Sequence, residues 1–205
     1  MSRCIYLQKS LAWCQGKPQY AGIRRRLYFI PRNDIVGWPQ LQRDENNGIT
    51  AASYVFDDSF VLRAGAVWRY IDILPEKSQL TSEPQGEYPN QTQLNKLVAL
   101  HPGIGQEAAQ AAALLNGSEC VFAVEDMGGS CRIVGSDYYQ IKTTVSMDHG
   151  QGVTASAGTT ITVETTDECP APRYQGVILT EDGEVYYGTV SSISGEITGG
   201  SEDPR

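Results

Sequence analysis

Hydrophobic and polar positions along the chain fall mostly into short runs of two-residue period, with one stretch of helical composition. Residues 22–30 carry Arg24, Arg25 and Arg26, then Leu27, Tyr28, Phe29 and Ile30, and stop at Pro31. That is the pattern of a strand running from a charged rim into a core, and the arginines read as its entrance rather than as a phosphate site. Residues 31–48 hold Pro31, Asn33, Gly37, Pro39, Asn46, Asn47 and Gly48 and read as turns, with Trp38 capping a core edge. Residues 60–74 alternate after Gly65. Val67, Arg69, Ile71 and Ile73 share one face, and Ala66, Trp68, Tyr70, Asp72 and Leu74 share the other, which predicts one long strand. A polar stretch at 76–90 separates it from a second extended run at 92–101. The pair reads as a hairpin arm over about 60–101 that pairs with another chain, or as two central strands of one sandwich.

His101-Pro102-Gly103 ends that run. Gln106 to Leu115 then carries five alanines and stops at Asn116-Gly117, which predicts a helix. From residue 118 onward every segment reads as strand. Residues 120–125 and 131–135 flank a turn at 126–129, residues 140–147 and 159–166 flank a loop at 148–158, and residues 176–180 and 184–189 flank Asp182-Gly183. The fold class expected is mainly β: a β-sandwich or partly open barrel with one short α-helix and a long extended β-hairpin arm. A length of 205 residues fits a single domain over 1–190 followed by a flexible acidic tail at 191–205.

Composition narrows the function. Hydrophobic residues make up 40 % of the chain, enough for a core at this length. The net charge is −8, which disfavours a nucleic-acid binder that works by neutralising phosphates. The charge is also uneven: residues 1–50 sum to +5 and the remainder to −13, so one end of a copy can meet the other end of a neighbour. No apolar run is long enough to span a membrane, and the N-terminus carries no export signal, so a cytoplasmic, unprocessed product is expected. The five cysteines are irregularly spaced, without a C-x-x-C, and read as reduced thiols. In a two-residue-turn register Cys131 faces Val124 and Cys120 faces Gly135, on one face but four positions apart, too far to bridge.

No catalytic constellation emerges, and no catalytic, cofactor-binding or metal-ligating residue is assigned. His101 stands at a strand end and His149 in a Gly-rich loop, without a metal or triad motif around either. The glycines of 101–105 precede a helix but lack the Lys-Ser/Thr of a phosphate loop. Asp57-Asp58, Glu125-Asp126 and Glu181-Asp182 are paired carboxylates without calcium-loop spacing, and the last two fall where turns want Asp. A non-enzyme is the reading that follows.

The order of elements resembles a phage or prophage tail tube protein (major tail protein) of the type found in phages of gut Bacteroidetes. The resemblance rests on GIRRRLYFIP at 22–31, the extended arm at 60–101, the helix, the hairpin at 125–132 and TTITVETTDECPAPRY at 159–174, and it covers about residues 20–190. It implies a virion protein, made in the bacterial host cytoplasm, that forms hexameric rings stacked into a hollow tube. Its partners would be further copies of itself and other tail proteins, with DNA passing through the lumen without specific binding, no membrane and no cofactor. Long hairpins of six copies would pair edge to edge and line a net-negative channel, and the basic first fifty residues would meet the acidic remainder of the ring above. Glu76, Glu83 and Glu87 are expected at the arm tip or lumen. A separate C-terminal domain, which many tube proteins carry, is not expected. The alternatives are the tube of a contractile injection or type VI-like apparatus, another virion or assembly component, a β-sandwich that binds sugar or peptide, and an enzyme with a dispersed site.

Overall fold

A computed structural model describes residues 15–16, 18–41, 43, 54–152 and 156–187. In chain order the strands before the helix are β1 (Ile23–Pro31), β2 (Ile35–Gly37), β3 (Val55–Phe56), β4 (Val61–Leu62), β5 (Arg69–Asp72), β6 (Gln79–Gln85) and β7 (Thr92–His101). The helix α1 (Gln106–Leu115) follows. After it come β8 (Cys120–Asp126), β9 (Cys131–Val134), β10 (Ile141–Asp148), β11 (Gly158–Asp167), β12 (Arg173–Tyr174), β13 (Val177–Thr180) and β14 (Gly183–Tyr186).

Two sheets carry the architecture. One has six strands in the order β3-β12-β9-β8-β1-β5, and the other has four antiparallel strands in the order β10-β11-β7-β6. Small pairs β13-β14 and β2-β4 accompany them, and none of the sheets closes into a barrel. The protein is mainly β with one helix, consistent with a sandwich. Residues of both large sheets join one core, from Leu27, Ile30, Phe122 and Ile133 to Leu97, Ile141, Ile161 and Val163. Val121 to Val124 are fully buried in succession, so both faces of β8 are covered and its sequence reads as a continuous apolar run.

An aromatic cluster closes one side of this core. Phe60 packs at 5.3 Å from Trp38, 5.5 Å from Trp68 and 5.5 Å from Tyr174, ring centroid to ring centroid. The Tyr174 hydroxyl donates to the carbonyl of Val177 at 2.9 Å, which satisfies it in the interior. Gly176 is required beneath it, because a Cβ there would stand 2.5 Å from that hydroxyl and 2.8 Å from Ser59 Cα.

The helix matches its expected bounds, and β1, β8, β9, β10, β11 and β13 lie within a residue or two of theirs. The run at 60–74 does not form one strand. It divides into β4 and β5, with a turn between them where Gly65 takes φ +81° and Ala66 N–H donates to the Arg63 carbonyl. β5 pairs with β1, not with β7. The hairpin partner of β7 is β6, drawn from the stretch expected to be a polar tip, and only residues 86–91 form the connection. The alternation at 79–85 is polar with only Leu80 apolar, so hydrophobic periodicity could not reveal that strand. β2 also lies in a region read as turns.

The register of the β8-β9 hairpin differs from the expected one by one residue. Glu125 faces Cys131 and Val124 faces Arg132, which puts Cys120 and Cys131 on opposite faces of the sheet. In the β13-β14 hairpin Thr180 faces Gly183, so the two turn residues are Glu181 and Asp182, one position before the expected Asp182-Gly183. Cys120, Cys131 and Cys169 are free thiols and buried, and burial pushes the Cys169 thiol up to about 12 and the other two upward as well. Cys4, Cys14 and the tail at 191–205 lie outside the described residues.

Candidate functional site

Alternation along the four-stranded sheet assigns its two faces. Inward positions include Asn95, Leu97 and Ala99 on β7 and Thr159, Ile161, Val163 and Thr165 on β11, all buried. The opposite face carries Lys142, Thr144, Ser146 and Asp148 on β10 and Thr160, Thr162, Glu164 and Thr166 on β11. Leu94, Lys96, Val98 and Leu100 on β7 and Gln79, Thr81, Glu83 and Gln85 on β6 complete it. The cross-strand register sets Lys142, Glu164, Lys96 and Thr81 side by side. Lys96 Nζ bonds Glu164 Oε1 at 2.8 Å, which lowers the pKa of that carboxyl and raises that of the ammonium. Two lysines stand against Glu83, Asp148 and Glu164, so the face is close to neutral; Thr is its commonest residue, and Leu94, Val98 and Leu100 are its aliphatic positions.

The edges of this sheet follow from ladder parity. In an antiparallel strand, successive residues turn their backbone groups to opposite neighbours. Gly117 N–H donates to the Thr143 carbonyl at 2.9 Å, and Val145 N–H donates to Asn116 Oδ1 at 3.3 Å, so these residues face away from β11 toward the end of α1. Met147 has the same parity, and its outward N–H and C=O have no hydrogen-bond partner among the described residues. At the other edge, Leu100 faces β6: its N–H donates to Ser78 Oγ and its carbonyl accepts from Leu74 N–H. Gln79, Thr81, Glu83 and Gln85 therefore turn toward β7, and Leu80, Ser82 and Pro84 turn outward. Pro84 thus lacks an N–H only where the ladder needs none.

The residues singled out for chemistry do not converge. His101 and His149 stand at the same end of the sheet with β11 between them, the ring of His101 tied by Nδ1 to the Asp72 carbonyl at 2.7 Å and His149 exposed. Among the described residues, no group of three His, Cys, Asp or Glu side chains is arranged to hold a metal ion. Glu125 is bonded by Arg24 at 2.7 Å, and Asp126 accepts from Ser130 N–H at 2.9 Å as the turn requires. Arg26 lies 3.6 Å from Asp72 and 4.3 Å over the Tyr70 ring, so two of the three arginines of β1 already have partners. Gly105 caps α1 without a side-chain bond, and Glu107 puts negative charge in the first turn, where a phosphate would bind. Glu87 lies in the connection of the β6-β7 hairpin, but Glu83 is within β6 and Glu76 is in the short 3-10 helix Pro75–Lys77 before it.

Two residues carry structural weight that no sequence signal marks. Asn95 stands beside Lys96, and Asp167 between Thr166 and Glu168, in polar stretches where a solvent-facing position is the default reading, yet both point inward and are buried. No family model, no curated protein and no solved structure matches the chain. Among the described residues, no helix is long and apolar enough to cross a membrane.

Proposed function

We propose that the chain is a structural tube subunit: copies join head to tail into rings, and the rings stack into the hollow tail tube of a phage or prophage. The observation that carries this reading is the four-stranded sheet whose two opposite edges, β6 and β10, both keep backbone donors and acceptors open. An open edge is a hazard in a monomer, and it becomes the means of assembly when the next copy continues the sheet. Joining β6 of one copy to β10 of the next is a heterologous contact, which repeats around an axis until the ring closes.

The polar outer face of that sheet would then line the channel. Its near-neutral, Thr-rich surface offers no excess of cations to hold phosphates, so DNA slides past without sticking. This departs from the net-negative channel that the resemblance implies: of the three acids expected there, Glu83 is on this face, while Glu76 lies in the 3-10 helix before β6 and Glu87 in the connection after it. Further copies of the chain and other tail proteins are the partners, and the virion tail is the location.

Negative-stain electron microscopy of concentrated protein, beside light scattering of dilute protein, tests the reading. Rings or tubes with a central hole are the expected result. Particles of a single subunit at every concentration would overturn it.

A further inference from the structure

Four segments from distant parts of the sequence meet on one side of the fold around a cleft of about 350 Å³. Trp38, Pro39, Gln40 and Leu41 follow β2, Phe56 belongs to β3, residues 135–139 link β9 to β10, and Asp167 and Glu168 end β11. The size lies at the lower end of the range for small-ligand sites, roughly 300–1,000 Å³. Pro39, Phe56, Gly135, Ser136 and Asp167 are buried in its floor. Ser136 Oγ accepts from the N–H groups of Tyr138 and Tyr139 at 3.2 and 3.3 Å, a turn that sets both rings at the mouth. Tyr138 is 79 % exposed there, and Trp38 is braced from behind by Phe60.

The charges around the cleft pair off with one exception. Arg43 bonds Glu168, and Arg32 bonds the Asp137 carbonyl and lies 4.0 Å from its carboxylate. Asp167 remains. Its residue is 9 % exposed, its Oδ1 accepts from Glu168 N–H at 2.7 Å, and no cation among the described residues partners it. Burial raises this carboxyl to about 6, with the Glu168 carboxylate adding to the rise. A fold gains nothing from burying a carboxylate that no cation balances, and such a group in a concave site is a functional candidate.

We propose that this cleft binds an organic cation, an ammonium or guanidinium on an aliphatic stem, with Asp167 as its counter-ion and Trp38, Tyr138 and Tyr139 against its stem and charge. Ring faces attract cations, and a partly desolvated carboxylate strengthens the attraction. An anion is disfavoured by Asp167, the one charge of the cleft that no described cation balances. The cation can be a free small amine or an Arg or Lys side chain of a second copy, and the site does not depend on the tube reading.

Isothermal titration of the full-length chain with butylguanidinium at neutral pH, beside the uncharged isostere butylurea, tests the proposal. The cation is expected to bind saturably and at least about tenfold more tightly than butylurea. Asp167→Asn should abolish that preference, and Tyr138→Ala, at an exposed ring, should weaken binding severalfold with the fold intact by circular dichroism. Absence of saturable binding, equal binding of butylurea, or an Asp167→Asn variant that still prefers the cation would overturn it. Sedimentation then separates the sources. Self-association lost in Asp167→Asn and inhibited by butylguanidinium assigns the cation to a second copy, and binding without any change in association assigns it to a free ligand.

Discussion

Asn95 has no exposed surface and ties three segments together. Its Oδ1 accepts from Ser82 Oγ at 2.6 Å and from Ala171 N–H at 2.9 Å, and its Nδ2 donates to the Cys169 carbonyl at 3.1 Å. It thereby anchors the chain leaving β11 to the inner face of the β6-β7 hairpin. Asn95→Ala strands the Cys169 carbonyl and loosens the Ala171 N–H, which retains Ser82 Oγ at 3.2 Å, so a loss of about 2–3 kcal/mol is expected in urea unfolding. Asp167 acts in the opposite sense. Its folded pKa of about 6 lies above the ordinary carboxylate value, so the folded state holds its proton more tightly than the unfolded chain does. Stability from this group is therefore greatest below about pH 4, falls as pH rises to about 6, and is level above that. Asp167→Asn should remove this fall and raise stability at neutral pH by about 1–3 kcal/mol, read from urea midpoints across the same pH window. A substitution that stabilises the fold while abolishing binding in the cleft is the signature of a residue kept for function.

At the scale of elements, the edge of β10 is divided between two uses. Asn116 and Gly117 at the end of α1 occupy its backbone at Thr143 and Val145, and Met147 is left open beyond them. Because Met147 N–H faces outward, Met147→Pro removes a donor that no bond within the fold uses. On the proposed tube reading, the variant should keep its circular dichroism spectrum and form no rings. A variant that assembles as the parent does would exclude this edge from the subunit contact. The hairpin at the opposite edge is not a detached arm along its length, since β11 covers β7 from Gln93 to His101. Its connection at 86–91 is the part that no neighbouring strand flanks, so trimming the hairpin below residue 86 would remove β6 pairing and the packing of Leu80 with it.

Across the whole molecule, charge is segregated along the chain: +5 over the first fifty residues and −13 over the rest. If opposite ends of neighbouring copies meet, assembly should weaken as ionic strength rises and the screening length falls from about 10 Å at 0.1 M to about 3 Å at 1 M. Light scattering over a salt series reads this directly. Assembly that is indifferent to salt would leave backbone pairing and apolar contact as its basis. Charge segregation and open sheet edges are separable contributions, because salt screens the first and leaves hydrogen bonding between strands largely intact.

Local chemistry in the chain was sufficient for much of the fold. Five alanines between Gly105 and Asn116-Gly117 specify α1 to the residue, and the β-branched alternation of 140–147 and 159–166 specifies β10 and β11. These signals are legible because they lie in the covalent neighbourhood of the residues they govern. Strand partnership is different. Whether 60–74 stays one strand, and whether β7 pairs with β5 or with the polar β6, depends on which surfaces are free after β1 has taken β5 on one side and β8 on the other. The cleft was beyond reach for the same reason. Trp38, Tyr138 and Asp167 are separated by many residues in sequence, and only the packing of two sheets brings an aromatic loop, a tyrosine turn and a buried carboxyl together. Periodicity records which way a side chain points, and tertiary contact decides what it meets there.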